Sequence, residues 1–284
     1  MLGSDQKKMV QGQEIIFKPR LIKEDDLYGK VEGYTLHLIK PNIYRFSVLG
    51  SGCHVYLIIG ESLNVLIDTG IITKFNSLNY LLTTEVGLKV EDINIVINTH
   101  EHFDHISSNP YFQCPIAAHR WAATKIQNND ELITKGKKWG CDLTDLRVNI
   151  WLEDRNIIDL GNVLLKVVET PGHTSGSICL YEPSKQYMFT GDTLFKGATT
   201  NIYESGSISE YINSLQILST LKIKSFYPGH GKCVIGENEV YKEIESSIEN
   251  AKMELEAFCF KIKTKPMEEM RPPPSLYDRE EEDL

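Results

Sequence analysis

No two of the six cysteines, at positions 53, 114, 141, 179, 233 and 259, are spaced as Cys-x-x-Cys, so the chain encodes neither a thiolate zinc knuckle nor a redox pair. Cys179 and Cys259 lie in apolar stretches, where a free thiol packs as a small hydrophobe. A reducing compartment fits this usage. The opening residues Met1-Leu2-Gly3-Ser4-Asp5-Gln6-Lys7-Lys8 lack the apolar core of an export signal, and no uninterrupted apolar run is long enough to span a membrane. The expectation is a cytoplasmic protein without a membrane span. Positive charge is also short, because 30 Lys and Arg against 39 Asp and Glu leave a net charge of −9. Binding a phosphate backbone calls for a basic face, so a nucleic-acid partner is not expected.

Part of the acidity is local. From Glu268 to Leu284 seven acidic residues oppose two arginines, with Arg271-Pro272-Pro273-Pro274 between them. Such a segment has little to bury, so residues 263–284 read as a charged, Pro-containing, flexible tail. Docking of a partner, or of a second subunit in a homodimer, is the other use it would serve. The remainder, residues 1–262, reads as one domain, since a chain of 284 residues that is 41% hydrophobic can bury one large core.

Against that background the chain carries a dense set of metal-ligand residues. His100, His102, Asp104 and His105 stand in Thr99-His100-Glu101-His102-Phe103-Asp104-His105, and His173, Asp192 and His230 follow. Imidazole and carboxylate suit a borderline cation such as zinc, and no thiolate occurs in the run. Ile93-Asn94-Ile95-Val96-Ile97-Asn98 is β-branched and reads as a buried strand, so the histidines arrive where it ends. His100 and His102 are two apart, which in extended chain puts both imidazoles on one face, able to share an ion. Asp104 and His105 are adjacent and reach a second ion only if the backbone bends after Phe103. Glu101 faces the opposite side and is expected to point away from the metals. His173, Asp192 and His230 each follow a strand-like segment and sit in Pro-Gly or Gly-bearing turns. The four groups of ligands are expected to form a rim along one sheet edge. His37 and His119 fall outside such junctions and read as structural; His54 is open.

Strands are expected at Ile43 to Phe46, Val55 to Ile59 and Val65 to Ile67 besides those preceding the ligands. Helical patterns run near Phe75 to Glu85, Trp121 to Gln127, Ile208 to Leu221 and Glu239 to Phe260. This alternation gives an α/β fold.

The His-x-His-x-Asp-His run followed by single His, Asp and His residues resembles the signature of the metallo-β-lactamase superfamily, over roughly Tyr34 to Lys252. The resemblance implies a four-layer αβ/βα sandwich. It implies that His100, His102 and His173 hold a first divalent metal, that Asp104, His105 and His230 hold a second, and that Asp192 bridges them. Asp68, in Val65-Leu66-Ile67-Asp68-Thr69-Gly70, resembles the family's aspartate that fixes the histidine-bearing loop without binding metal. Related di-iron proteins that reduce oxygen place a glutamate where His102 stands. That favours two zinc ions and hydrolysis, with iron or manganese still compatible.

Two cations sharing a water lower its pKa, and the expected reaction is attack of a metal-bridging hydroxide on a carbonyl carbon, with Asp104 orienting the hydroxide or passing on its proton. The substrate is expected to be a small molecule. Thr170-Pro171-Gly172-His173-Thr174 and Gly191-Asp192-Thr193-Leu194-Phe195 resemble glyoxalase II, but only 54 residues follow His230, too few for the glutathione-binding domain of that enzyme. Nucleases of the family carry a large insert and further histidine motifs, and true β-lactamases are exported. Ser177-Ile178-Cys179-Leu180 and Ser207-Ile208-Ser209-Glu210-Tyr211 resemble an acyl-CoA thioesterase branch. A small thioester is therefore preferred over a lactone, a β-lactam or another ester. The non-enzymatic reading is a metal-binding interaction module. Substrate choice is assigned to two segments outside the ligand loops. Asn128 to Asn149, with Trp139, is expected to be a mobile cover, and Leu49 to His54, with His54, a close-approaching turn.

Overall fold

The β-branched segments form two stacked sheets in the computed structural model, which describes residues 6–10, 13–17, 26–144, 146–202 and 205–264. β1 (Gln6–Val10) and β2 (Gln13–Phe17) pair as a separate hairpin. The larger sheet begins with β3 (Asp26–Val31), β4 (Tyr34–Lys40), β5 (Ile43–Val48), β6 (Val55–Ile59) and β7 (Asn64–Ile67), an antiparallel meander. It continues in parallel through β8 (Ile95–Asn98), β9 (Ile116–His119) and β10 (Ile150–Leu152). The parallel connections carry α1 (Phe75–Leu81), α2 (Phe103–Ile106), α3 (Arg120–Gln127) and α4 (Glu131–Thr134).

The smaller sheet runs in sequence order through β11 (Ile157–Asp159), β12 (Leu164–Glu169), β13 (Ile178–Glu182), β14 (Tyr187–Gly191), β15 (Ser225–Pro228) and β16 (Val234–Ile235). Only β14 and β15 are parallel, and α5 (Ile208–Ser219) makes that crossover. Its first turn is capped by the Ser207 hydroxyl, which accepts from the Glu210 N–H. α6 (Glu237–Thr264) closes the described chain.

Packing gives four layers. Between the sheets, Tyr56, Ile58, Val65 and Ile97 meet Leu165, Val167, Leu180 and Phe189. Phe75, Leu78 and Leu81 of α1 cover the outer face of the large sheet. Tyr211 and Leu215 of α5, with Val240 and Ile244 of α6, cover the small one. Burial of a large apolar side chain contributes about 1.5–3 kcal/mol, so the central layer fixes the two sheets relative to each other. The expected αβ/βα arrangement is what forms.

Three expectations need correction. The ligand loops do not line one sheet edge. His100 to His105 follow β8 of the large sheet, whereas His173, Asp192 and His230 follow β12, β14 and β15 of the small one. The large sheet has three parallel crossovers and the small one has one, and stacking brings the ligand-bearing strand ends to a common rim. Residues 128–149 are not a loose cover either, because Thr134, Cys141, Leu143, Leu146 and Val148 are buried, while Leu132 and the turn around Trp139 are exposed. α6 starts and ends beyond its expected bounds, so the first two residues assigned to the tail are helical. Residues 265–284 and the side chain of Cys259 lie outside the described residues. Among the described residues no helix is long and apolar enough to cross a membrane.

Candidate metal centre

β8 ends at Asn98, the chain bends at Thr99 and His100, and His102 is extended (φ −70°, ψ 145°) before α2 turns the chain. That turn lets adjacent Asp104 and His105 face one point, as the sequence requires. Ligand atoms of His100, His102 and His173 lie within 4.8 Å of one another, as do those of Asp104, His105 and His230, and those of His100, His105 and Asp192. All seven predicted ligands are thus gathered in one place.

The facing atoms can be named. His102 Nδ1 is 2.9 Å from His173 Nε2. His105 Nε2 is 3.4 Å from His230 Nε2 and 3.3 Å from Asp192 Oδ1. Asp192 Oδ2 is 3.6 Å from His173 Nε2 and 3.3 Å from His230 Nε2, so one carboxylate touches both clusters. Asp104 Oδ2 is 3.3 Å from His230 Nε2. Outer partners orient the rings. His173 Nδ1–H donates to the Asn201 carbonyl at 2.7 Å, and Thr200 Oγ1 lies 2.8 Å from the same nitrogen. His102 Nε2 meets Ser205 Oγ at 3.1 Å, and His105 Nδ1–H donates to Asp68 at 2.8 Å. Each of these bonds occupies the nitrogen remote from the cluster and leaves the other aimed inward, the arrangement that metal-binding imidazoles need.

Two buried polar atoms fit a cation and little else: His100 Nε2 and Asp192 Oδ1 have no hydrogen-bond partner. An orphaned buried acceptor costs about 1–3 kcal/mol, and a divalent cation would satisfy both. The donor set of imidazoles and carboxylates suits zinc, iron or manganese.

The electrostatics divide the site. Burial holds His100, His102 and His173 below the usual histidine range, helped for His100 and His102 by neighbouring imidazoles, so this cluster is neutral and ready to donate lone pairs. Around Asp192 burial acts in the opposite sense on the acid, but His230 and His105 outweigh it and hold the carboxylate well below its usual range. Burial disfavours charge on His105 and His230 too. Cys53, Asp68, Asp192 and Asp104 raise His105 despite it, and Asp192 and Asp104 bring His230 up to about 10. His105 is buried, whereas the His230 side chain is 36% exposed, so the site opens on the His230 side.

The remaining predicted residues separate. Asp68 contacts Thr99 N at 2.7 Å, Thr99 Oγ1 at 2.8 Å and His105, and it lies outside the clusters of His100 and His230. Glu101 points away from the ligands, as expected, and its buried carboxylate receives Lys125 Nζ at 2.6 Å and Thr174 Oγ1 at 2.8 Å. It ties the histidine loop to α3 and to the His173 turn. His119 bonds Glu169 at 3.0 Å, and His37 lies 3.0 Å from Thr35, away from the site. Trp139 is 56% exposed and stacks on Phe103, between His102 and Asp104, with centroids 5.5 Å apart and planes 11° from parallel.

The structure places His54 within the fold, not at the open side of the ligand cluster. It is buried, Nδ1 accepts from the Val48 N–H at 3.1 Å and Nε2–H donates to the Gly231 carbonyl at 2.8 Å. Burial pushes its pKa down to about 4. Its role is to pin the 49–54 turn to the His230 loop. Sequence reasoning also missed Ser205, Thr200 and Cys53. Cys53 is buried beside Asp68 and His105. Its one sequence signal was its place beside Gly52 in a turn before a strand.

The sequence profile of the metallo-beta-lactamase superfamily matches residues 48–230. A probable metallo-hydrolase of Methanocaldococcus jannaschii is 35% identical over 200 residues, covering 67% of this chain and 93% of that protein. An acyl-coenzyme A thioesterase of Homo sapiens is 25% identical over 247 residues, covering 78% of this chain and 85% of that one. The crystal structure of a metallo-beta-lactamase family protein from Thermus thermophilus superposes with a TM-score of 0.64 at 21% identity, over 78% of this chain and 82% of that one, a likeness of fold. The profile runs through every ligand-type residue from His100 to His230, and this chain, a hydrolase by that descent, belongs to the metallo-β-lactamase superfamily.

Proposed function

We propose that the chain is a dinuclear-metal hydrolase of small thioesters. The observation that carries the reading is Asp192, one buried carboxylate in contact with both ligand clusters and with an oxygen that has no hydrogen-bond partner. His100, His102 and His173 would hold one divalent cation, Asp104, His105 and His230 the other, and Asp192 both. Two such cations, most simply zinc, supply a Lewis acid for a carbonyl oxygen and water acidic enough to attack near neutral pH.

The chain's own groups then have defined tasks. Asp104 stands on the open side beside His230, with 15% of its side chain exposed, where it can orient the attacking water and carry its proton to the departing sulfur. In the balanced reaction the water oxygen bonds the acyl carbon and the C–S bond breaks. The electron pair leaves on sulfur, and the thiol takes up the proton. The buried His100, His102 and His173 cluster keeps bulk water from one side of the reacting carbon. Support for a thioester comes from the human relative named for that activity. A lactone or another ester is the second reading, since the same attack serves any activated acyl group. The five described cysteines are all free, which supports a cytoplasmic setting.

Metal analysis with a panel of thioesters, lactones, esters and β-lactams tests this reading. The expected result is two cations per chain, thioester turnover lost on chelation, and both cations weakened in Asp192→Asn, the second the more. Full metal content without turnover of any member of the panel would favour an interaction module instead.

A further inference from the structure

The segment from Glu131 to Asp142 departs from the acidity of the rest of the chain. It carries Lys135, Lys137 and Lys138 within four residues of Trp139, whose ring is exposed. Both carboxylates accept backbone N–H groups, Glu131 Oε1 from Lys137 and Lys138 and Asp142 Oδ1 from Thr144 at 3.0 Å, and Asp142 also feels the charge of Lys137. The turn is held further by Cys141 N–H to Gly136 O at 2.8 Å and by left-handed residues at Lys135 (φ 61°) and Gly140 (φ 72°). Buried Cys141 and Leu143 anchor it from below. The result is a fixed platform in which one face of Trp139 rests on Phe103 and the rest of the ring meets solvent. Phe103 lies between two of the ligands, so the platform borders the mouth of the site. The charge of Lys135 also lowers both His102 and His173, which places that cation near the first cluster.

We propose that this platform is a cationic aromatic lip that binds the leaving group of a nucleotide-bearing thioester, Trp139 stacking the base and Lys135, Lys137 and Lys138 taking the phosphates. The inference rests on the thioester reading and narrows it. A flat exposed indole beside several ammonium groups matches a heteroaromatic base linked to phosphate. A simple alkyl thiol offers no aromatic ring to stack, and an aliphatic lactone offers neither an aromatic ring nor a charge. Three lysines suit a few phosphates, not a nucleic-acid backbone, in agreement with the net charge of −9.

The test compares acetyl-coenzyme A with acetyl-pantetheine, the same thioester without the nucleotide, on the full metal-loaded chain. The ratio of their kcat/KM values should be at least about tenfold, the size one stacked base contributes. It should fall toward unity in Trp139→Ala and in the combined Lys135→Gln, Lys137→Gln, Lys138→Gln variant, and should shrink with added salt. As a readout independent of turnover, adenosine 3′,5′-bisphosphate should quench the fluorescence of the metal-free chain, and Trp139→Phe should abolish the quenching. Turnover of both thioesters at equal kcat/KM, or an unchanged ratio in the variants, would overturn the lip and leave the thioesterase reading intact. Binding of the bisphosphate through Trp139 without hydrolysis of any thioester would support the lip and overturn that reading.

Discussion

Asp68 Oδ2 and His105 Nδ1 stand 2.8 Å apart beneath the ligand cluster. Asp68 has a φ of 58°, a left-handed conformation that costs a non-glycine residue about 1–3 kcal/mol. Three hydrogen bonds, two to Thr99 and one to His105, hold it there. In return the carboxylate fixes the tautomer of His105 and turns its Nε2 toward Asp192. Asp68→Asn keeps the size and loses the charge. It should weaken the second cation about 10–100-fold and leave the first close to its parent affinity. Competitive metal titration measures both, and two parent-like affinities in the variant would remove the role.

The electrostatic asymmetry of the two clusters leads to a pH dependence. His230 moves from 6.5 to about 10 in the metal-free chain, and His105 moves the same way. A raised folded value means that protonation stabilises the folded chain fully below pH 6.5 and that this contribution is lost as pH climbs toward about 10. The Tm of the chelated protein should therefore fall across that window. A cation must displace the same protons, so the gain in Tm on adding metal should widen over the same range. Thermal melts at constant ionic strength follow both trends, and a flat curve for the chelated protein would contradict the assignment.

How far the site could be read from sequence depends on whether chemistry or packing decides each residue. The seven residues that the structure gathers were legible as candidate ligands because few residue types bind metal and strand-to-turn junctions are visible in a local pattern. That the rim spans two sheets was not, since sheet membership depends on contacts between distant segments. β12 and β8 look alike in sequence, yet they lie in different layers. His54 shows the same limit: a histidine between glycine-rich turn and strand reads as a site residue, while its partners Val48 and Gly231 are six and 177 residues away. Residues 128–149 misled in the opposite sense, because their short helical turns carry no period even though Leu143 and Val148 pack firmly.

His54 should matter for stability more than for recognition. Removing its ring costs the bonds to the Val48 N–H and the Gly231 carbonyl, about 0.5–1.5 kcal/mol each, since both groups can reach water. His54→Ala should lower the denaturant midpoint accordingly, with KM for the best thioester within about twofold of the parent. A pronounced KM change at parent stability would return His54 to the substrate site.

Gly229 is packed directly against the ligand residues. A Cβ added there would meet Asp192 Oδ1 well inside contact distance, with His105 Cε1 at 2.7 Å and the Gly191 carbonyl oxygen at 3.2 Å. None of these can retreat cheaply. Asp192 and His105 are held among the ligands, and the Gly191 oxygen already accepts the Gly229 N–H at 2.7 Å. A single methyl group should therefore push the shared carboxylate out of register with both clusters. Gly229→Ala is expected to reduce kcat by about 100-fold or more, the scale of a 1 Å misplacement, and to weaken both cations together, unlike Asp68→Asn, which acts on one. Paired metal titrations of the two variants distinguish these effects. Loss confined to the second cation in Gly229→Ala would show that Asp192 serves only one cluster.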